Sequence, residues 1–534
     1  MSDSAEHGVI AAGHPATAKA GVEVLREGGN AVDAAVAAML ASFAAEPLLT
    51  GLGAGGHMLV AGGDWEPAVL DFFVQAPARR DDGGAVELDA VDVSFGDAVQ
   101  VFYIGPASCG IYGTPAGVCA AVERWGTMPL GRLAEPAVGL ARDGVALNAG
   151  QAYVAEILGE LLTSTPECAA LWAPSGRVLR EGELVRNPEL GDALELLAEE
   201  GAEPFYRGQI ASEVCEWLWR RGGSLDAAEL AAYAAIEREP VRVRYRDRLV
   251  LTNPPPSAGG TLLAYSLALL DRGARPPSLA GVLEAMEVAQ AERTAEFLSG
   301  LAQDGFLERF LAAKLGSTTH ISVIDSAGRA CAVTCTNGEG SGVVVPGTGI
   351  HVNNVMGEQD LNPLGFHRHP AGIRMPSMMA PTIVLLTDRS RRSPIGGEGA
   401  RGRGAGVVEG VGVGAGASAD AAGASTADGD VELVLGSAGS NRIRSAILQT
   451  IVGIVDHGLG AREAVDAPRM HVEGGIVYHE PGIDTSALRD DRDREIVRFQ
   501  DLNLFFGGVQ AVRRLDGRLT GAGDPRRGGV AVGA

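Results

Sequence analysis

Hydrophobic and polar positions recur with two different periods along the chain, and the change of period outlines the predicted elements. Residues 16 to 46 carry apolar positions at helical spacing in two blocks, separated at residues 28 to 30 by Gly-Gly-Asn, which is typical of a helix end and a new start. The second block is almost wholly apolar, so we expect a buried helix. Residues 113 to 146 and 189 to 236 are also predicted to be mostly helical.

Strand patterns dominate from about residue 318 onward. Short apolar or alternating runs occur in "THISVID", "RACAVTCT", "APTIVLLT" and "VELVLGS", and an apolar helix, "SNRIRSAILQTIVGIVDHG", precedes the last strands. An earlier strand pattern, "VRVRYRDRLVLT", is followed by "NPPPSAGG", which we expect to be an irregular loop because three prolines and two glycines interrupt it. Helices that flank many strands predict an α+β or layered α/β architecture.

Two glycine-rich stretches carry no predicted chemistry. Residues 389 to 430 form a low-complexity insertion between two strand patterns, which we expect to be disordered and dispensable. Gly51, Gly53 and Gly56 fit the spacing G-x-G-x-x-G, but a helix precedes them and a strand follows. A dinucleotide site needs the opposite order, so we predict no nucleotide site here.

Composition narrows the class of protein further. The 534 residues are 46% hydrophobic, enough for a substantial core, and 44 basic against 67 acidic residues give a net charge of -23. This charge opposes nucleic acid and anionic membranes as partners. The start "MSDSAEHGVI" lacks the features of a signal peptide, which predicts a cytoplasmic location, with a periplasmic or secreted location as the alternative.

Side chains that often bind metals do not form a metal-binding pattern. The cysteines form no C-x-x-C pair, so we expect buried free thiols rather than disulfides or a zinc site. His367 and His369 are interpreted as loop residues rather than ligands. No metal or cofactor is predicted.

Candidate chemistry begins at the stretch "LGSTTHISVID". The strands "THISVID" and "RACAVTCT" are joined by Ser-Ala-Gly, and a hairpin centred near Ala327 places Thr318 opposite Thr336. A threonine hydroxyl needs a base, and an N-terminal threonine has one in its own α-amine, whose pKa is about 8. That role requires cleavage between Ser317 and Thr318. Taken alone, threonines in a strand are more often structural.

The wider context favours the catalytic interpretation. The blocks "GHPATAKAGVEVLREGGNAVDAAVAA", "GTPAGVCAAVERWGTMPLGRL", "FYRGQIA", "NPPPSAGG", "TTHISVID", "GSGVVVPGTGIHVNN", "MAPTIV", "GSAGSNRI" and "GAGDPRRGG" occur in the order found in the gamma-glutamyltransferase family, which this chain resembles from about residue 8 to its end. The resemblance implies an α+β fold of the N-terminal-nucleophile hydrolases: a four-layer αββα sandwich with an additional helical region.

The same resemblance implies the catalytic residues and two subunits. Thr318 aligns with the family's nucleophile, Thr336 with the threonine that hydrogen-bonds it, and Ser317 precedes the cleaved bond. Gly439 and Ser440 align with a Gly-Gly pair whose backbone N–H groups stabilise the oxyanion. Residues 1 to 317 would form the large subunit and residues 318 to 534 the small one, as a heterodimer whose further association is left open.

Several positions depart from the family pattern where the glutamyl group would bind. The arginine that pairs with its α-carboxylate is replaced by Phe73, and the second of two adjacent serines by Met378, while Ser377 remains. Restoring arginine at Phe73 is expected to raise activity on γ-glutamyl substrates if glutamate is the ligand.

The departures continue on the side that would bind the glutamyl amine. Glu358 stands in place of an aspartate, and Val355 in place of a polar residue. Asn337 approximates an asparagine from a loop that is two residues longer in the family. The catalytic residues are therefore kept while the binding residues differ.

We therefore expect an autoprocessing amidohydrolase or acyltransferase that transfers a γ-glutamyl or related acyl group, from a small amide such as glutathione, to water or an amine. One alternative is hydrolysis of another N-acyl amide, as in the cephalosporin acylases that resemble this family, because Phe73, Val355 and Met378 make the pocket more apolar. A second alternative is an unprocessed, inactive homologue that acts as a binding protein.

Overall fold

The computed structural model describes residues 6–78, 88–94, 99–291, 319–362, 365–387, 429–439, 442–488 and 495–534. Ser317, Thr318 and Ser440, which the sequence analysis places in the site, lie outside these ranges, and so does most of the predicted insertion at residues 389 to 430. Its last residues are an exception: the Leu386 N–H donates to the carbonyl oxygen of Asp430 at 2.9 Å. The prediction of disorder was wrong for Asp430, because the residue extends a strand pair.

Two antiparallel sheets form the centre of the molecule. The first has the strand order β22-β1-β11-β12-β2-β3-β8, and the second has the order β21-β20-β16-β15-β10-β9. The strands of the first sheet are β1 (Gly8–Ala12), β2 (Gly55–Gly62), β3 (Trp65–Phe72), β8 (Ile236–Arg238), β11 (Thr319–Asp325), β12 (Ala330–Thr336) and β22 (Val530–Gly533). Those of the second are β9 (Val241–Tyr245), β10 (Arg248–Thr252), β15 (Thr382–Leu386), β16 (Val431–Ala438), β20 (Gly508–Leu515) and β21 (Arg518–Gly523).

Smaller sheets of two or three described strands lie outside these two sheets. They are formed by β4 (Asp89–Ser94), β5 (Val99–Ile104), β6 (Val145–Ala146), β7 (Leu184–Val185), β13 (Val344–Val345), β14 (Ile350–His351), β17 (Met470–Glu473), β18 (Ile476–His479) and β19 (Glu495–Arg498).

Helices cover both sheets and form a further helical region. Those before β8 are α1 (Pro15–Arg26), α2 (Ala31–Ala45), α3 (Thr114–Trp125), α4 (Leu130–Asp143), α5 (Ala149–Ile157), α6 (Gly159–Leu162), α7 (Pro166–Trp172), α8 (Pro188–Glu200), α9 (Glu203–Tyr206), α10 (Gln209–Trp219) and α11 (Ala227–Ala231). Those after it are α12 (Ala258–Asp271), α13 (Leu279–Ala291), α14 (Ile443–Val455) and α15 (Ala461–Asp466).

Three buried clusters define the layers. The cluster between the sheets contains Leu59 and Ala332 from the first and Val434 from the second. A second cluster joins α1 and α2 to the outer face of the first sheet, and a third joins α12, α13 and α14 to the outer face of the second. Strand faces alternate, so central strands such as β11, β12 and β16 contribute to two of these cores. The order helix, sheet, sheet, helix confirms the predicted α+β, αββα class.

Local sequence signals explain where α2 begins and ends. Asn30 caps α2: its side chain accepts from the N–H of Asp33, whose carboxylate accepts from the N–H of Asn30. Every residue of α2 is buried, as its apolar sequence predicts. Its C-cap is Glu46, a carboxylate that is only 4% exposed.

The prediction of an irregular loop for "NPPPSAGG" was wrong in part. Its last three residues form the first turn of α12. A Cβ on Gly259 would lie 2.0 Å from the Met378 carbonyl oxygen, and a Cβ on Gly260 would lie 2.1 Å from that of Asn253. The glycines therefore allow close approach of neighbouring chain at a helix start, rather than interrupting the helix.

The cysteines are all free, as expected, and all are buried except Cys119, which is half-buried. Across the described helices, we find none that combines the length and the apolar character needed to cross a membrane.

Candidate active site

The hairpin of β11 and β12 lies in the centre of the first sheet, and its register matches the prediction. Thr319 pairs with Cys335, and the pairing continues without a shift to Ile324 and Ala330. Thr336 is the last residue of β12 and pairs on its other side with Gly55 of β2. Ser317 and Thr318 directly precede β11 in the sequence but lie outside the described residues.

His320 is a structural residue of this hairpin that the sequence analysis did not assign. Its Nδ1 lies 2.8 Å from Thr334 Oγ1 and its Nε2 lies 2.9 Å from Ser322 Oγ. The ring packs against Gly436 of the second sheet, where a Cβ would lie 2.4 Å from its atoms. Burial lowers the pKa of His320 to about 3. The imidazole is therefore neutral at physiological pH and joins the two sheets.

The loop after β12 brings three predicted residues together. Thr336 Oγ1 accepts from the N–H of Gly338 at 2.8 Å. Asn337 is fully buried, and neither polar atom of its side chain has a hydrogen-bond partner among the described residues. A Cβ on Gly338, which has φ +67°, would lie 2.5 Å from Glu358 Oε1. Next to Thr336, the loop therefore brings the Asn337 amide close to the Glu358 carboxylate, and groups of these two types can bind an amine or an amide.

Phe73 and Val355 lie in one buried apolar cluster, as their replacement of polar family residues suggests. The cluster also contains Met375 and Met379. The Phe73 ring is 1% exposed and stacks on His57 with 5.6 Å between ring centroids. This region presents hydrocarbon rather than a cation.

Arg374 lies beside this cluster, but its guanidinium is engaged by the protein. Its Nη1 donates to the carbonyl oxygen of Phe73 and its Nη2 to that of Ala234, both at 2.7 Å. Its Nε lies 3.4 Å from Asp71, whose other oxygen accepts from Arg238 at 2.8 Å. Arg374 therefore does not replace the arginine that is missing at Phe73.

Ser377 and Met378 lie at the start of α12 rather than in the Phe73 cluster. The Ser377 hydroxyl donates to Ser257 Oγ at 3.0 Å, and the Ser377 carbonyl oxygen accepts from the N–H of Ala258 at 2.8 Å. Met378 is buried, and its carbonyl oxygen approaches Gly259. In this structure the Ser377 hydroxyl stabilises the loop before α12.

The end of β16 forms a turn that needs glycine. Gly439 has φ +97°, and a Cβ there would lie 2.9 Å from the Cα of Gly507. Before it, Ser437 Oγ accepts from the N–H of Gly508 at 3.0 Å. Ser440 lies outside the described residues. Only the glycine of the predicted oxyanion pair can therefore be placed.

A cavity of about 30 Å³ lies between the ends of the two sheets, next to the start of β11. Thr319 of β11, Ala438 of β16, Glu46 and Arg527 are among the residues that line it. Glu46 accepts hydrogen bonds from Thr319 Oγ1 at 3.1 Å and Thr17 Oγ1 at 2.7 Å. Burial raises the pKa of this carboxyl group, and the threonine hydroxyls oppose the shift in part.

The sequence analysis missed Glu46 and Arg527. One signal was available for Glu46, which is a lone acid at the end of a wholly apolar helix. Arg527 lies in the block "GAGDPRRGG", 481 residues further along the chain, but nothing local distinguished it from Arg526.

Comparisons with known proteins agree with this architecture. The chain matches the family described as Gamma-glutamyltranspeptidase over residues 17–304, 298–411 and 421–534. It is 29% identical to the glutathione hydrolase proenzyme of Escherichia coli K12, over 98% of this chain and 91% of that protein. It is 28% identical to the acylase ACY 1 proenzyme of Pseudomonas sp. SE83, over 99% of this chain and 94% of that one.

A solved structure extends the likeness to the fold. Cephalosporin acylase from Bacillus halodurans superposes with a TM-score of 0.76, covering 99% of this chain and 96% of that one, at 23% identity.

Proposed function

The chain belongs to the gamma-glutamyltranspeptidase family, an enzyme family of the N-terminal-nucleophile hydrolase fold, and we propose that it is an autoprocessing amidohydrolase and acyltransferase with Thr318 as nucleophile. The observation that carries the proposal is the register of β11 and β12. β11 begins at Thr319, the residue after Thr318, and Thr319 pairs with Cys335, the residue before Thr336, as the predicted hairpin requires. Thr336 is buried beside Asn337, whose side chain has no partner among the described residues.

The proposed first step creates the catalytic group. The Thr318 hydroxyl attacks the carbonyl carbon of Ser317, the Ser317–Thr318 C–N bond breaks, and an ester replaces the amide. Water then hydrolyses the ester, which returns the hydroxyl and leaves a free α-amine on Thr318. With a pKa of about 8, this amine can accept a proton near neutral pH.

In the proposed acyl transfer, the α-amine takes the proton of the Thr318 hydroxyl as Oγ1 attacks the substrate's amide carbon. Backbone N–H groups at the Gly439 turn stabilise the negative oxygen of the tetrahedral intermediate. The leaving amine receives the proton as the C–N bond breaks. Water or an acceptor amine then attacks the acyl-enzyme and releases Thr318. A small-molecule amide is thus the expected substrate.

The strand order explains how two subunits would stay together after cleavage. In the first sheet, β1 and β2 precede the proposed cleavage and pair with β11 and β12, which follow it. In the second, β10 precedes it and pairs with β15. Residues 1 to 317 and 318 to 534 would therefore share both sheets, as a heterodimer held by main-chain hydrogen bonds and the core.

A second candidate, hydrolysis of a non-glutamyl N-acyl amide, is favoured by the surroundings of Phe73. The ring is buried with Val355, and Arg374 is engaged by Asp71 and two carbonyl oxygens. A γ-glutamyl α-carboxylate would meet no free cation among these residues. Losing a charge-assisted hydrogen bond costs roughly 1.5–3 kcal/mol, or about 10- to 100-fold in selectivity.

Intact mass and N-terminal sequencing of the purified protein test the nucleophile. We expect two fragments, the smaller beginning Thr318-Thr319-His320. A Thr318→Ala variant should remain one chain near 54.9 kDa, whereas Thr318→Ser keeps a hydroxyl and should still be cleaved. A wild-type chain that stays intact after long incubation would contradict the proposal and favour an inactive binding protein.

Paired acyl anilides separate the two substrate candidates. γ-Glutamyl and glutaryl anilides share their chain length and terminal carboxylate and differ only in the α-amine, which the glutaryl compound lacks. Faster hydrolysis of the glutaryl compound supports the non-glutamyl acylase, and faster hydrolysis of the γ-glutamyl compound supports glutathione-type substrates.

A further inference from the structure

A buried guanidinium at the ends of the two sheets has unused hydrogen-bonding capacity. Arg527 lines the 30 Å³ cavity together with Thr319 and Ala438. Its Nη2 donates to the carbonyl oxygen of Leu504 at 3.3 Å. Its Nε–H is buried and meets no acceptor among the described residues. The side chain is thus held in place with donors to spare.

The neighbouring buried arginines differ from Arg527 in having carboxylate partners. Arg526 donates to Glu480 at 2.7 Å and lies 3.2 Å from Asp524. Arg469 lies 2.7 Å from Asp524. Within the part of the chain that the structure describes, no carboxylate oxygen lies within 4 Å of Arg527. The carboxylates of Asp524, Glu46 and Glu339 favour the charged form of Arg527 without pairing with it directly. A buried guanidinium without a directly paired carboxylate leaves a place for an anion.

The electrostatic surroundings also favour an anion. Burial lowers the pKa of Arg527 to about 10, and the nearby guanidinium of Arg442 contributes, so Arg527 remains protonated at neutral pH while facing a second cation. Glu46 lies across the cavity, and burial shifts its carboxyl group towards the neutral acid. An anion beside Arg527 would relieve the repulsion between the two guanidinium groups.

We propose that Arg527 binds the carboxylate of a substrate in this cavity. The inference rests on the proposed function, because the cavity lies beside Thr319, the residue after the proposed nucleophile. A volume of 30 Å³ can hold about two water molecules, which the two oxygens of a carboxylate would replace.

The position of Arg527 would place this carboxylate near the turn proposed to bind the oxyanion of the reacting amide. A Cβ on Gly439 would lie 3.2 Å from Arg527 Nη2, so the guanidinium borders the turn that would hold the oxyanion. The carboxylate belongs either to the acyl group, as in a glutaryl amide, or to an acceptor or leaving group, as in a peptide. Both sources present the same group to Arg527.

Equilibrium binding tests the carboxylate directly. Glutarate and glycylglycine are titrated into the purified protein by calorimetry, alongside glutaramide and glycylglycine amide, in which neutral amides replace the carboxylates. We expect Arg527→Gln to weaken binding of at least one acid roughly 10- to 100-fold and to leave the amides unchanged. Arg527→Lys keeps the charge without the planar fork and should lose less.

The matched control is Arg514→Gln. Arg514 lies near the end of β20, whereas Arg527 contacts Gly508 at its start. A Cβ on Gly328 would lie 2.5 Å from Arg514 Nη1, so this arginine borders the β11–β12 turn rather than the cavity. It should bind both acids as the wild type does. Acid binding that is absent from the wild type, or equal in wild type and Arg527→Gln, would overturn the proposal.

Kinetics then identify the source of the carboxylate. If it belongs to the acyl group, Arg527→Gln lowers kcat/KM for glutaryl anilide and not for butanoyl anilide. If it belongs to the acceptor, the variant lowers transfer to glycylglycine and not to glycylglycine amide. An equal loss for charged and uncharged partners in both series contradicts carboxylate binding.

Failure of this inference is distinguishable from failure of the proposed function. If the chain stays intact but binds glutarate through Arg527, the carboxylate site is supported and the role of Thr318 as nucleophile is refuted. If the enzyme is cleaved and active but Arg527→Gln does not change its preference for carboxylates over amides, the nucleophile is supported and the carboxylate site is refuted.

Discussion

Replacing Phe73 by arginine tests how the structure constrains substrate recognition. From the sequence, this change is expected to restore binding of a glutamyl carboxylate. The structure places the ring, 1% exposed, in a cluster with Val355, Met375 and Met379. We therefore expect Phe73→Arg to destabilise the protein before it can create a binding site.

The expected loss of folding free energy in Phe73→Arg has two contributions. Removing a buried phenylalanine ring costs about 3–5 kcal/mol. Burying a guanidinium without a partner costs several kcal/mol more, and Asp71 is already paired with Arg238 at 2.8 Å and Arg374 at 3.4 Å. The sum is comparable with a typical folding free energy of about 5–15 kcal/mol.

A substitution series supplies the assay. Phe73→Leu keeps most of the hydrocarbon and should cost less than about 1.5 kcal/mol, Phe73→Ala about 3–5 kcal/mol, and Phe73→Arg the most. Urea unfolding, followed by tryptophan fluorescence, should give midpoints in that order. An arginine variant as stable as the leucine variant, with increased hydrolysis of γ-glutamyl anilide, would refute the reasoning.

Three further predictions concern backbone, packing and pH. Gly439→Ala should cost more stability than Gly517→Ala, because both glycines have positive φ but a Cβ only at Gly439 would also meet backbone. Under the proposed function it should lower kcat by up to roughly 10²–10³-fold, the loss for a missing oxyanion donor, because the added Cβ shifts the turn whose N–H groups would bind the oxyanion. Equal unfolding midpoints and equal kcat values for the two variants would contradict this. Gly436→Ala should cost about 1–3 kcal/mol, because its Cβ would lie 2.4 Å from the His320 ring, and an unchanged unfolding midpoint would disprove that contact. Burial lowers the pKa of His57 to about 4 and that of His320 to about 3, so the unfolded state binds more protons than the folded state below about pH 6.5. The free energy of unfolding should therefore fall by up to about 1.4 kcal/mol per pH unit for each histidine as pH decreases from 6.5 towards 4, and urea midpoints that stay constant over this range would contradict neutral burial.

The sequence predicts the hairpin register because the information is local. The Ser-Ala-Gly connection fixes which residues of β11 and β12 face each other, and the observed pairing of Thr319 with Cys335 agrees. The helices α1 and α2 are equally local: the apolar period and the Asn30 cap define them. The start of α12 was predicted wrongly because its glycines are needed for tertiary contacts. Gly259 lies against Met378, which is remote in sequence, and Gly260 lies against Asn253 in the preceding loop.

The candidate site likewise has features that the sequence predicts and features that only the tertiary structure shows. The family and the layered fold, as well as the proposed catalytic motif, follow from the sequence, because motif order and the period of apolar residues are local properties of the chain. Only the tertiary structure places Glu46 and Arg527 around one cavity, engages Arg374 with Asp71, and packs Phe73 against Val355. These contacts depend on how the two sheets and their loops pack. Whether a charged side chain is free to bind a ligand also depends on its burial and on partners from distant parts of the chain.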